Sequence, residues 1–214
     1  ADMVTVPALR AKIKELGDMP VVTYVNSSAA VKAMSTVCCT SANVVKVVNS
    51  LDEAELLMTP DRNLASYAAS LTDKTIHLWD GCCPIHDALR ATDVLSAKKR
   101  HPDAVVMAHP ECRGEVLDLA DAVLSTSGML RYAQDSEAGQ FLVATENGLM
   151  HALRKACPEK TFYPVSEKMI CPDMKRITPQ MIVDCLENMG PEVKVPADIQ
   201  ERALDAVQRM LALR

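Results

Sequence analysis

The stretch "AVVMAH" (104–109) decides the fold because it has occurred once already, as "PVVTYV" (20–25). Each is a short apolar run that breaks into a polar side chain near its end, His109 in one and Tyr24 in the other. With the chain laid on itself at a shift of 85 residues, Val21 falls on Val106, Val31 on Val116, Leu57 on Leu142 and Leu64 on Leu149. Thr40-Ser41 falls on Ser125-Thr126, and Asp61 on Glu146. Any one match means little, but a single offset held for over 40 residues marks a duplicated unit.

Four more short apolar runs follow the same pattern: "ELLMT" (55–59), "TIHLW" (75–79), "QFLVAT" (140–145) and "TFYPV" (161–165). They alternate with stretches of helical periodicity, the signature of βα units around a parallel sheet. The expected architecture is α/β: repeated three-layer α/β/α units with parallel sheets, related by pseudo-rotational symmetry. A linking helix occupies 1–17, the units occupy 18–102 and 103–189, and a C-terminal helix in 190–214 packs back on the core. "TPQMIVDCLENMG" carries Thr178 as N-cap, Pro179 at the first helical position and Gly190 just past the stop. Met181, Ile182, Cys185, Leu186 and Met189 share one face of that helix, so Cys185 is expected in the core.

The 214 residues are 49% apolar and 24% charged, an ordinary globular composition with enough apolar material for a full core. A net charge of −5 with one Trp, four Tyr and two Phe argues against a nucleic-acid surface. No apolar run approaches the roughly 20 residues of a membrane span, so no membrane partner is expected. The start, "ADMVTVPALRAKIKEL", lacks a leader pattern and reads as a helix already under way, from a processed chain or one cut from something longer. Eight cysteines in a large-cored chain suit a reducing, cytoplasmic setting better than a disulfide scaffold.

The repeat also chooses among the cysteines. "WDGCCPIHD" (79–87) and "KMICPDMKR" (168–176) bring Cys83-Pro84 and Cys171-Pro172 within three residues of register, and Cys82 has no counterpart. Each Cys-Pro is expected after a strand and at the start of a helix, where the helix dipole favours a thiolate. Two thiolates are too few for a closed zinc site or a standard iron–sulfur cluster, so a third ligand is implied. The alternative is two buried cysteines at equivalent core positions. His86, paired with Met174 by the repeat, is not required by the symmetry and so points to function.

Polar residues stand at equivalent strand ends: Tyr24 and Asn26 in one unit, His109 and Glu111 in the other. Carboxyl ends of parallel strands are where ligands bind, and these types can orient carbonyls and move protons. "CTSAN" (39–43) and "LSTSG" (124–128) place Ser41, Ser125 and Thr126 at expected helix starts, which hold phosphate or carboxylate or serve only as caps. "KKRH" (98–101) reads as a solvated helix end.

These motifs, with "YVNSSAAVKA", "CCTSANVVKVV", "PDRNLA", "HPECRGEV", "ADAVLSTSGM", "ATENGL" and "ERALDAVQRML", resemble the quinolinate synthase family. The resemblance implies three similar domains, of which this chain carries the second and third. It implies a 4Fe–4S cluster bound by one cysteine per domain, Cys83 and Cys171 here and a third upstream. The open iron acts as a Lewis acid while iminoaspartate and dihydroxyacetone phosphate condense to quinolinate, a step of NAD biosynthesis. By the same resemblance Tyr24, Glu111, His109 and His86 are catalytic. Tyr24, Asn26, Ser41, His109, Glu111, Ser125 and Thr126 bind substrate, and L-aspartate oxidase is a possible functional partner. Glu111 is expected to have a raised pKa in a closed pocket. The other reading is a non-catalytic phosphate- or dicarboxylate-binding module, or one part of an enzyme completed by another chain. Without the first domain, an exposed apolar face and self-association are expected.

Overall fold

The structure, a computed structural model, describes residues 2–213. The first half runs α1 (Val6–Leu16), β1 (Val21–Tyr24), α2 (Ala29–Lys32), β2 (Val37–Cys39), α3 (Val44–Asn49), β3 (Glu55–Thr59), α4 (Arg62–Ala69), β4 (Thr75–Leu78), α5 (Pro84–Asp87) and α6 (Ala91–Arg100). The second half runs β5 (Val105–Ala108), α7 (Gly114–Leu117), β6 (Ala122–Val123), α8 (Thr126–Asp135), β7 (Gln140–Ala144), α9 (Leu149–Ala156) and β8 (Thr161–Pro164). A single 3-10 turn (Asp173–Lys175), α10 (Pro179–Asn188) and α11 (Ala197–Ala212) follow.

Two four-stranded parallel sheets form, in the orders β2-β1-β3-β4 and β6-β5-β7-β8. The duplication holds down to the register. Val21 pairs with Leu57 and Val106 with Leu142; Val22 pairs with Val37 and Met107 with Ala122. Each second pair is the first moved along by the shift found in the sequence. At the far edge Leu56 pairs with Ile76 but Phe141 with Phe162, so one extra residue precedes β8. Cys83 stands five residues past β4 and Cys171 seven past β8, which accounts for the rest of their three-residue offset.

Alternation along the strands divides the apolar residues between two covered faces. On one face of the first sheet Val21 and Leu57 pack with Val31 and with Leu9 of α1. On the matching face of the second, Val106 and Leu142 pack with Val116 and with Val94 of α6. Helix α1, read from the sequence as a linker, thus covers its sheet as α6 covers the next one. We propose counting each of these helices as the outer layer of the unit that follows it. On the opposite face of the first sheet, Val22, Leu56 and Met58 pack with α3, α4 and, from α11, Ala206 and Met210.

Strands β2 and β6 escaped the sequence reading. They are three and two residues long, too short to show a period, and they lie at sheet edges. The second correction concerns α10. Thr178 caps it by accepting from the Met181 N–H and Gly190 lies just past its end, both as expected, and Met189 at the C-cap is left-handed (φ 50°). The helix buries no residue, and Cys185, expected in the core, is exposed. Met181 is 52% exposed, Leu186 71% and Met189 84%, and Ile170, Met174 and Ile177 ahead of the helix are exposed as well. Periodicity shows which face of a helix wants a partner; it cannot supply one.

Two substitutions separate the packed body from this surface. Met58→Ala, in a fully buried site, should cost about 2–5 kcal/mol in urea unfolding. Leu186→Ala should stay within about 0.5 kcal/mol. A comparable loss from both would mean that α10 is packed in solution.

Candidate functional site

Three loops from each sheet carry the polar residues, and all leave the carboxyl ends of strands. In the first unit Tyr24 ends β1, Asp61 follows β3 and Cys83 follows β4; in the second His109 follows β5, Glu146 follows β7 and Cys171 follows β8. Cys83 is the N-cap residue of the four-residue α5, with Pro84 at its first position. Cys171 precedes only the 3-10 turn, whose N-cap is Pro172, so the expected α-helix at the second Cys-Pro is absent. Neither turn is long enough for the dipole argument to carry much weight.

The two units meet at His86. Its Nδ1 lies 3.2 Å from Cys83 Sγ and 3.1 Å from Glu111 Oε2, and its Nε2 lies 2.9 Å from Thr145 Oγ1. The His86 ring stacks on His109 at 4.6 Å between centroids. All four of His86, His109, Glu111 and Thr145 are buried. Atoms of Cys83, His86 and Glu111 lie within 4.8 Å of one another, a sulfur–nitrogen–oxygen group able to hold a metal ion. Thr145 adjoins Glu146, whose Oε1 accepts from the Cys171 N–H at 3.3 Å. A continuous chain of contacts therefore links the loops of Cys83 and Cys171.

Burial and neighbours set the charges. Burial favours neutral His86, but bonds to Cys83 and Glu111 outweigh it and lift the pKa to about 9. Burial and the adjacent His86 charge press His109 down to about 4. Glu111 also feels burial pushing it upward, yet the bond to His86 and both nearby rings hold it below the usual carboxylate range. This corrects the raised pKa expected for Glu111, which followed from treating it as unpaired. Tyr24 is pushed up to about 12 by burial and then by the Glu111 charge, against a hydrogen bond with Ser41. At neutral pH these four groups are thus one cation, one anion, a neutral imidazole and a protonated phenol.

Ser41 and Ser125 line a common cavity of about 480 Å³ with Lys46 and Arg131. Ser125 is the N-cap of α8, accepting from the Gly128 N–H at 3.2 Å. Ser41 instead sits in the turn before α3, which starts at Val44 with Asn43 as cap, so its expected place at a helix start is corrected. Asn26 and Thr126 are exposed and line no part of this cavity. A larger surface depression of about 740 Å³ runs along α6 past Thr92, Lys99 and Pro102, far in kind from the chemistry.

Several contributors went unnoticed in the sequence. Thr145, Lys46 and Arg131 carried no signal. Asp61 and Glu146 did, through the shared offset, but no task was assigned to them. Asp87 binds Arg62 and Asn63 of the first unit and Arg113 of the second, and Asn63 also donates to the Glu111 carbonyl at 3.0 Å. Among the remaining cysteines, Cys38, Cys39, Cys112 and Cys157 are buried. Burial raises Cys38 to about 11 and Cys112 to about 12, leaving inert thiols.

Comparison with known proteins gives the family. A family model described as quinolinate synthetase A protein matches residues 1–212. Quinolinate synthase 1 of Methanosarcina acetivorans is 51% identical over all 214 residues, which cover 70% of its length. Quinolinate synthase of Desulforudis audaxviator is 49% identical over the same 214 residues, 71% of its length. The chain belongs to the quinolinate synthase family, a family of enzymes, and corresponds to about 70% of the length of these relatives.

Proposed function

We propose that this chain supplies most of the active site of a quinolinate synthase, in which iminoaspartate condenses with dihydroxyacetone phosphate and loses phosphate and water. The observation that supports it is the group of half-buried Cys83 with buried His86 and Glu111, tied through Thr145 and Glu146 to Cys171. Two soft thiol donors of this kind are compatible with part of the ligand set of a 4Fe–4S cluster. Cys83 and Cys171 are half-buried on loops, while four other thiols are shut in the core. Cys83 and Cys171 would hold it with a third cysteine from an upstream segment, and bound there it supplies Lewis-acid chemistry at an open iron. The setting is proposed to be cytoplasmic, with L-aspartate oxidase as the source of the imine.

The chain's own residues do the remaining work. Arg131, Lys46, Ser125 and Ser41 form an anion-holding wall suited to the phosphate or the carboxylates. Tyr24, kept protonated, donates to a substrate oxygen, and Asn26 and Thr126, exposed and outside the cavity, are left to meet the solvent-facing side of the substrate. Glu111, kept ionised, accepts the proton removed from carbon, and neutral His109 beside it can pass that proton on. His86 holds Glu111 in place and neutralises it. A second reading, a phosphate- or dicarboxylate-binding module, draws on the same anion-holding cavity.

Anaerobic iron–sulfide reconstitution separates the two. With the upstream segment and its cysteine present, iron and sulfide near four per protein, lost in Cys83→Ala and Cys171→Ala but kept in Cys82→Ala, is the expected outcome; no iron uptake there with retained phosphate binding would favour the module. In the active enzyme Glu111→Gln should lower kcat by about 10²- to 10⁴-fold with KM little changed. Arg131→Ala should instead raise KM for the phosphate-bearing substrate about tenfold. We further expect the α10 surface to promote self-association, read by sedimentation velocity and weakened in Leu186→Glu. A concentration-independent monomer would sink that expectation.

A further inference from the structure

Asp61 and Glu146 occupy the same place in the two units and do the same thing. The Cys83 N–H donates to Asp61 Oδ2 at 2.6 Å, and the Arg62 N–H donates to the Gly81 carbonyl at 2.7 Å. The Cys171 N–H donates to Glu146 Oε1 at 3.3 Å, and the Asn147 N–H donates to the Met169 carbonyl at 2.8 Å. In both units the cysteine amide binds the carboxylate, and the residue after the carboxylate binds a carbonyl two residues before the cysteine. The second carboxylate oxygen is fixed by its own loop, Asp61 Oδ1 by the Leu64 N–H at 2.8 Å and Glu146 Oε2 by the Gly148 N–H at 2.7 Å. Helix capping accounts for the Leu64 bond but not for a bond to a loop 22 residues away that recurs in the other unit.

The surroundings have been shaped to keep the second carboxylate there. A Cβ on Gly148 would come within 2.6 Å of Glu146 Oε2 and 2.7 Å of Lys175 Nζ, so a side chain at this position would displace the pair. Lys175 itself lies 3.0 Å from Glu146 Oε1.

We infer that Asp61 and Glu146 are positioning residues that set the backbone of Cys83 and Cys171, aiming both thiols at one shared iron–sulfur group; this rests on reading those cysteines as its ligands. A ligand thiol on a loop is placed only as well as its Cα–Cβ bond is. A charge-assisted hydrogen bond to the cysteine's own amide fixes that bond without occupying the sulfur. The adjoining turns are too short to do so alone.

The test uses isosteric variants, Asp61→Asn and Glu146→Gln, whose amides keep the size of the carboxylate but only one accepting oxygen. Asp121→Asn is the control, since Asp121 accepts the Val106 N–H at 2.8 Å in the same chemistry but away from either cysteine. By residue-resolved hydrogen exchange on the apo chain, Asp61→Asn should speed the Cys83 amide by about tenfold or more and leave the Cys171 amide unchanged. Glu146→Gln should do the reverse, and iodoacetamide labelling of the two thiols should follow the same split. After reconstitution both variants should release iron to a chelator several-fold faster than Asp121→Asn, with an altered EPR signal. Variants that match Asp121→Asn, or that disturb both cysteines alike, would overturn the inference. Correct exchange behaviour in a protein that carries the upstream cysteine yet takes up no iron would leave the clamp standing and overturn the ligand reading instead.

Discussion

Everything at the site depends on the pairing of β1 with β3 and of β5 with β7 in one shared register. A parallel sheet covered on both faces leaves charged side chains little room except beyond the ends of its strands. The register then decides how far along the sheet each loop begins. Because Val21 faces Leu57 as Val106 faces Leu142, the loops after β1 and β3 leave the first sheet at the same relative height as those after β5 and β7 leave the second. The duplication thus delivers matching sets of three loops, and the Cys, Asp or Glu, and Tyr or His on each set inherit their places from hydrogen bonds formed elsewhere.

Symmetry of backbone coexists with divergence of charge. His109 stands where the first unit has Tyr24, and Glu111 where it has Asn26. His86 then enters from the first unit and stacks on His109 at 4.6 Å. Two imidazolium ions cannot share such a contact in a buried site, so the proton settles on the ring that touches Glu111 and Cys83. His109 stays neutral because His86 is charged, and Glu111 stays ionised because both rings face it. A single asymmetric residue sorts three titratable groups into three different states, which equivalent side chains in a purely symmetric site would not reach.

The long strands, the two units and the alternation of strand and helix were legible in the sequence, because burial on both faces writes continuous apolar runs such as Glu55–Thr59 and Gln140–Ala144. The edge strands β2 and β6 were not, since two or three residues carry no period. Cys83, His86, His109, Glu111 and Tyr24 were found through the offset and converge in space. The state of Glu111 was misjudged, because its ionisation depends on His86, 25 residues earlier in the chain, and on no local pattern. Lys46 and Arg131 were missed for a similar reason: on their own helices they look like ordinary solvated cations, and only the facing of α3 and α8 puts them around one cavity.

Helix α10 raises the question of what such a surface is for. Ten residues are too few to hold a helix in water by backbone hydrogen bonds alone. The sequence spends unusual care on it nonetheless, with a Thr178 cap, Pro179 at the first position and a left-handed Met189 to end it. Its apolar residues lie on a face continuous in kind with exposed Ile170, Met174 and Ile177, the segment that begins at the candidate ligand Cys171. Whatever covers that face would also restrain the turn after Cys171, whose bonds to the body run through Glu146: its own N–H and the Lys175 ammonium. Covering α10 would therefore restrain the loop that carries Cys171, and fixing that loop would in turn lower the entropy cost of covering α10.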